Sequence, residues 1–510
     1  MHPPSIRRWH VGGWYRGRPR IMQMGLAACA GGVGAVGQAP YDQPAALLLA
    51  LSLAFAMARQ HGNPRDAACI GWAFGAGYFG LSLIWILQPF QVDPDRYGWM
   101  APFALMFLSA GLALFWGAAF WGARRLSHKT WPLAVTWAGA ELVRAYIFTG
   151  FPWASPAQAL VNGAAGQGLA WVGPHGMTLW LMVLAWGATV PARGWGWRAG
   201  QGAVLLGATI GMYLPPAAPG AALTAHVVRL VQPNAAQHLK WQPEFARMFF
   251  DRQLEFTAAP PQIGTRRPDL TVWPETAITW RYDDAGPALD MIRAAAAGGA
   301  VALGLLRQDN AVLFNSMVVL GAAGGQTQLY DKHHLVPFGE YIPLSAVADR
   351  LGLMGLAQTS GVGFQAGPGA ATLDFGPLGR GIPLICYEAV FAHDVNAAPE
   401  RADFLIQITN DAWFGHDAGP HQHLAQARMR AIEQGLPMMR AANTGVSAMI
   451  DPYGRVLAQL PMGVSGFVDA PLPQPLPPTI YSTMGDKYLI LVLLVLAVGA
   501  YCTGLSSNKI

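Results

Sequence analysis

The sequence predicts a polytopic α-helical membrane domain of about eight spans with an α/β layered domain inserted before the last span. Three observations lead there. Charged residues make up only 12% of the chain and apolar residues 53%, against roughly 25% charged in soluble globular domains. Long apolar runs fill the first part of the chain and recur at its end, while no such run occurs between about 217 and 480. That polar stretch alternates short β-branched runs with amphipathic helical patterns. The expected organisation is a helix bundle over 1–220, an α/β domain over 221–480 and a last span within 481–510.

The apolar runs lie near 21–38, 44–58, 67–90, 99–122, 132–149, 175–191, 201–216 and 488–505. A helix needs about 20 residues to cross the hydrocarbon core, so the second and seventh runs are marginal. The basic residues orient the map. With a cytoplasmic N-terminus, the inner segments hold Arg7, Arg8, Arg16, Arg18, Arg20, Arg59, Arg65, Arg124, Arg125, Lys129, Arg193, Arg198 and Lys509. The outer side has Arg96, with Lys487 flanking the last span. This positive-inside bias is expected to put both termini in the cytoplasm and the insert outside, which in a bacterium would mean the periplasm, with the bundle in the inner membrane. It also accounts for the formal charge of +5 without nucleic acid as a partner. "LAAC" at 26–29 has the look of a lipoprotein cleavage box. The apolar core before it is too short for a signal peptide, so Cys29 is expected to be a small buried residue of the first span. Glu141 and Arg144 sit i, i+3 on one face of the fifth span. They are expected to pair with each other, the alternative being that Arg144 meets a lipid phosphate.

Within the insert, "AHVVRLVQPN" reads as a strand, "EFARMFFDRQLEFTAA" as a helix and "DLTVW" as a strand. "GPALDMIRAAAAGG" reads as a helix, with strands in "AVALGLL" and "LFNSMVVL". "DFLIQIT" follows as a strand, "HLAQARMRAIEQG" as a helix and "SAMIDPYGRVLAQL" as a hairpin turned at Pro452 and Gly454. "PLPQPLPPT", 471–479, reads as a stiff exit toward the last span.

Three segments share one layout, a strand followed at once by a reactive side chain. "TVWPETAI" carries Glu275, "YDKHHLVPFGEYIP" carries Lys332 and Glu340, and "PLICYEAV" carries Cys386, Tyr387 and Glu388. Ends of neighbouring strands are where α/β domains collect their functional groups. A free thiol is only a few per cent thiolate at neutral pH, so a carboxylate within reach is needed to take its proton. Sulfur attack on a carbonyl builds an oxyanion, which a fixed cation stabilises. Cys386 is expected to open a helix over "YEAVFAHDV", where the dipole would favour thiolate. "HDAGPHQH" offers His416, His421 and His423, and His333 adjoins His334, yet no zinc spacing occurs, so no metal or other cofactor is expected.

Together these segments resemble the nitrilase superfamily and, within it, the bacterial apolipoprotein N-acyltransferase family. The matching stretches are "VQPNAAQHLKW", "WPETA", "YDKHHLVPFGEYIP", "CYE", "TNDAWFG" and "RAIEQGLPMMRAANTG", with "FTGFPW" in the bundle. The resemblance implies an αββα sandwich with Glu275 as general base, Lys332 as oxyanion stabiliser and Cys386 as the acyl-accepting nucleophile. It implies Glu340 as a supporting glutamate, Tyr387 and Glu388 as residues needed for activity, and Trp241 on a mobile arm over the cleft. It further implies a phospholipid acyl donor, phosphatidylethanolamine by expectation, and a diacylglyceryl apolipoprotein acceptor, in a monomer embedded in the bilayer. A membrane-tethered amidase that releases its thioester to water is the alternative. A lone thiol in an oxidising compartment makes sense on this reading, since disulfide formation would destroy a nucleophile.

Overall fold

The computed structural model describes residues 11–507 apart from 193, 311 and 344–362. Arg7, Arg8, Arg193 and Lys509 of the charge map lie outside the described residues. Helices occupy all eight expected positions: α1 Arg20–Ala35, α2 Pro44–Ala58, α3 Pro64–Ser82, α4 Ala101–Leu126, α5 Pro132–Tyr146, α6 Leu169–Thr189, α7 Trp195–Tyr213 and a C-terminal helix Lys487–Ser507. By length and apolarity, three described segments can cross a membrane: Pro94–Leu126, Ala164–Thr189 and Lys487–Leu505. Pro64–Ser82 with Ile84–Gln91, bent by 61°, makes a fourth if the two count as one span. This is fewer than the expected eight, because α1 has 16 residues and α2 and α5 only 15 each, while α7, at 19, has Arg198 and Gln201 in its first half and is too polar.

Small residues let the helices approach closely. A Cβ on Gly31 would come within 1.9 Å of the Phe74 carbonyl oxygen, and one on Gly77 would come as near that of Ala28, so α1 and α3 meet backbone to backbone. The face of α1 that carries Ala27, Ala30, Gly31 and Gly34 is buried. Cys29 points away from it and is exposed, which corrects the expectation that it would be buried. Arg144 is fully buried and pairs with Glu141, its Nη2 lying 2.6 Å from Glu141 Oε2. Its Nη1 donates to the carbonyls of Phe151 and Trp153. The guanidinium is thus spent inside the protein, as mutual pairing requires.

The insert folds as two six-stranded sheets face to face. Strands β1 Leu223–Gln232, β2 Leu270–Val272, β3 Ala300–Asp309, β4 Val312–Leu320 and β5 Thr327–Asp331 belong to the first. Strands β6 Leu373–Asp374, β7 Arg380–Ile385, β8 Phe404–Thr409, β9 Met438–Ala442, β10 Ser447–Ile450 and β11 Val456–Leu460 form the second, and β12 Gly466–Pro473 returns to the first. The orders are β12-β1-β2-β3-β4-β5 and β11-β10-β9-β8-β7-β6. Each sheet has three parallel strands at its centre (β1-β2-β3 and β7-β8-β9) and antiparallel neighbours outside. Helices α8 Pro243–Ala258 and α9 Gly286–Ala296 cover one outer face and α10 Ala418–Gln434 the other, giving four layers. The hairpin β10–β11 forms as expected. The exit "PLPQPLPPT" starts later than expected, because Pro471–Pro473 complete the edge strand β12, where proline's missing N–H costs no ladder bond.

The sandwich and the bundle share one continuous core, in which Val228, Ile406 and Met439 of the sheets are continuous with Phe74, Trp116 and Trp153 of the bundle. Gln422 of α10 is the polar tie. Its Oε1 accepts from Trp153 Nε1 at 2.7 Å, and its Nε2 donates to the carbonyls of Ala39 and Ser82 at 3.2 and 3.0 Å.

Candidate active site

Glu275, Lys332 and Cys386 arrive from three strand ends and meet between the sheets. Glu275 follows β2 across Trp273–Pro274, Lys332 follows β5 directly and Cys386 follows β7 directly. All three are buried, with 6%, 1% and 5% of their surface exposed. The turn bearing Glu275 packs on β3 so tightly that a Cβ at Gly304 would lie 2.7 Å from the Glu275 Cα, so only glycine fits there.

Each carboxylate oxygen of Glu275 has a partner. Asn315 Nδ2 donates to Oε1 at 2.7 Å, and the Asn410 backbone N–H donates to Oε2 at 2.8 Å. Lys332 Nζ donates to Glu340 Oε1 at 2.9 Å and stands 3.9 Å from Glu275 Oε1. Glu340 is fixed in turn by the Val336 N–H on Oε2 and by Asn315 on Oε1. Burial works against the Lys332 charge, but Glu340 first and then Glu275 and Cys386 overcome it, so its ammonium is held well above the usual lysine range. Burial pushes the Cys386 thiol up, and the Glu275 charge adds to this against the opposing Lys332. Its surroundings therefore favour the thiol over the thiolate.

The backbone around Cys386 departs from expectation. Instead of opening a helix, Cys386 begins a five-residue 3₁₀ turn, Cys386–Val390, and holds φ at +53°. A side chain in that left-handed region costs about 1–2 kcal/mol, and such strain gathers where a group must be thrust into a site. A single short turn supplies little dipole, in keeping with a thiol whose pKa is raised rather than lowered.

Glu388 is buried behind this turn. Its Oε2 accepts the Ile385 N–H at 2.7 Å, while Oε1 accepts Tyr330 Oη and the His333 N–H, each at 2.8 Å. It therefore fastens the cysteine turn to the loop that begins with Lys332. Tyr387 is buried with its ring edge-on to His334 and Phe391, and its hydroxyl lies 3.5 Å from the Gly150 carbonyl of the bundle. Trp241 is half exposed and is joined to the site through Lys240. The Lys240 Nζ donates to the Glu275 carbonyl at 3.1 Å and to Thr276 Oγ1 at 2.6 Å. Burial brings Lys240 down to about 8 despite the nearby Glu275.

Sequence reasoning gave no role to Lys240, Asn315, Asn410 or Gln407, although Lys240 and Asn410 lie in the matching stretches "VQPNAAQHLKW" and "TNDAWFG", and it weighed His423 only as a metal ligand. The available signal was a polar residue inside an otherwise apolar strand, Asn315 in "LFNSMVVL" and Gln407 in "DFLIQIT". Of the histidines weighed as metal ligands, His423 is spent on Asp411, with Nδ1 2.9 Å from Oδ1. Among the described residues, His334, His393 and Asp394 have ligand atoms within 4.8 Å of one another. Asp394 already pairs with His334 at 2.6 Å.

Residues 228–475 match the carbon-nitrogen hydrolase family, and residues 30–187 match the apolipoprotein N-acyltransferase N-terminal domain. The apolipoprotein N-acyltransferase of Rhodopseudomonas palustris is 35% identical over 92% of this chain and 93% of its own length. Those of Sinorhizobium fredii and Brucella melitensis are 39% and 37% identical, covering 83% and 84% of this chain and 82% and 84% of theirs. With 35–39% identity over most of both chains, and with the N-terminal domain match beside the carbon-nitrogen hydrolase match, the chain belongs to the apolipoprotein N-acyltransferase family.

Proposed function

We propose that this protein moves a fatty acyl chain from a phospholipid to the α-amine of an apolipoprotein's N-terminal diacylglyceryl-cysteine, by a ping-pong cycle through a thioester on Cys386. The observation that carries this reading is the convergence of Glu275, Lys332 and Cys386 around a strained cysteine turn. Because the resting thiol keeps its proton, attack on the ester carbonyl has to be coupled to proton transfer. Glu275, the general base, takes the thiol proton as the C–S bond forms. Lys332, held cationic by Glu340, stabilises the oxyanion, and lysophospholipid leaves with a proton returned from Glu275. In the second half the acceptor amine gives a proton to Glu275, attacks the thioester and releases Cys386 as thiol. Glu340, Tyr387 and Glu388 hold this geometry, and Trp241 covers the cleft on an arm that moves with substrate.

The donor we propose is phosphatidylethanolamine, and the working form a monomer in the bacterial inner membrane. The sandwich then lies in the periplasm, both termini in the cytoplasm, and all eight helices, including the short ones, serve as spans of a bundle over 1–220 and 481–510 flanking a catalytic domain over 221–480. Drawing a sixteen-carbon chain into water would cost on the order of 12 kcal/mol, at about 0.8 kcal/mol per CH₂. A cleft at bilayer level avoids that cost. Hydrolytic release of the thioester, the amidase alternative, is disfavoured by membership in a transferase family.

The test is to incubate the purified protein with phospholipid vesicles and weigh the peptide holding Cys386. A hydroxylamine-labile acyl adduct that passes to a diacylglyceryl peptide is expected. Ammonia release from small amides, with no adduct from lipid, would reverse the assignment.

A further inference from the structure

The Cys386 carbonyl points into a sealed polar network beneath the nucleophile. Gln407 Nε2 lies 3.2 Å from the Cys386 carbonyl oxygen and 3.0 Å from His423 Nε2, which is itself 3.1 Å from that oxygen. Gln407, His423, Asp411 and Arg440 are all fully buried.

The partners settle which hydrogen bonds are made. Gln407 Oε1 accepts from Arg440 Nη1 at 2.5 Å, so the amide cannot be flipped and its NH₂ faces Cys386 and His423. Asp411 Oδ2 accepts from Arg440 Nη2, which keeps the carboxylate ionised, so its Oδ1 accepts a hydrogen bond from His423 Nδ1–H at 2.9 Å. His423 is then the Nδ1–H tautomer, and its Nε2 lone pair accepts from Gln407. One amide nitrogen, with two protons, serves two acceptors: the imidazole and the nucleophile's carbonyl.

We propose that Gln407 is a positioning residue for acyl transfer, aiming the Tyr387 N–H into the cleft as the second oxyanion donor by pinning the Cys386 carbonyl on the opposite side. The reasoning is the planarity of a trans peptide, in which C=O and the following N–H point in opposite directions. Holding the oxygen against the buried amide fixes the N–H toward the side where sulfur attack builds charge. Left-handed Cys386 supplies the turn, Gln407 its orientation, and His423 and Arg440 lock the amide. This rests on the thioester route proposed above.

A reaction without an oxyanion separates aim from mere support. The protein and its Gln407→Met variant are each given phosphatidylethanolamine vesicles, and single-turnover acylation of Cys386 is followed by mass. In parallel, iodoacetamide alkylates Cys386 by displacement at a saturated carbon. Acylation is expected to fall about 100-fold, the usual loss for one oxyanion donor, with alkylation within about twofold of the unaltered protein. Equal losses in both reactions would reduce Gln407 to a structural residue, and unchanged acylation would remove it from the reaction. If Gln407→Met does not fold, His423→Phe decides, because Arg440 still holds the amide oxygen, and a smaller loss in acylation alone is expected. An unaltered protein that forms no adduct overturns the thioester route and this role together, whereas normal acylation in both variants overturns only the role.

Discussion

Two buried carboxylate–cation pairs invite comparison. In the bundle, Glu141 and Arg144 consume each other: Arg144 Nε and Nη2 bind the carboxylate at 2.9 and 2.6 Å, and Nη1 caps two carbonyls. Trp116 Nε1 takes up Glu141 Oε1 from a further side at 2.8 Å. In the cleft, Lys332 gives Glu340 a hydrogen bond of 2.9 Å and faces Glu275 at 3.9 Å. A guanidinium closed on all sides braces a loop. An ammonium with one firm anchor and donor capacity left over can meet a charge that arrives later. What separates scaffold from chemistry here is spare valence, since the two cations are buried to the same degree.

The comparison can be broken or sharpened by substitution. The largest effect is expected of Cys386→Ala, which should remove the acyl adduct and lower triacylated product by about 10⁴-fold or more, read by mass spectrometry of a diacylglyceryl peptide. Wild-type rates in this variant would end the proposed cycle. Next, Lys332→Met should cost about 10²–10³-fold in turnover while the thermal midpoint moves less than it does for Arg144→Met. The latter leaves Glu141 buried and unpaired, a loss of about 3–5 kcal/mol in stability. The double change Glu141→Leu with Arg144→Met should recover most of that stability. If it does not, the pair does more than balance its own charges.

The smallest effect concerns pH. Burial works against the charge of His333, but hydrogen bonds with Asp394 and Glu388 overcome it and hold the imidazole up to about 10. The unfolded value is near 6.5. The folded state therefore binds the extra proton between these values, and its stabilisation, complete below about pH 6.5, is lost as pH rises through about 10. Melting midpoints taken from pH 6 to 10 should fall, and His333→Gln should flatten the slope. A slope that survives the substitution would assign it to another group.

The positions of all eight helices were legible, because hydropathy reports where apolar helix lies. How many cross a bilayer was less so, since Gly-rich short helices such as α1 pack by backbone approach that composition does not reveal. Glu275, Lys332 and Cys386 stood out because each lies at or just past a strand end and its neighbours carry family motifs. The edge strand β12 was obscured by its prolines, and β9, "MMRAA", by a buried Arg440 that breaks its apolar run. The conformation at Cys386 was misread because local propensity favours a helix there. Tertiary anchors on Glu388 and Gln407 impose the sharper turn.

The tie through Gln422 bears on how this catalyst could ever be detached. A truncation ending at the sandwich would strip the partners from its amide, from Gln426 and from Arg428, which reaches Asn162 in the bundle. The freed face of α10 would carry unmet polar groups beside the apolar surface of Phe414, which Trp85 and Trp153 of the bundle cover in the intact protein. Secretion of the catalytic half as an independent enzyme would therefore demand a redesigned helix, and anchorage is inscribed in the domain that does the chemistry.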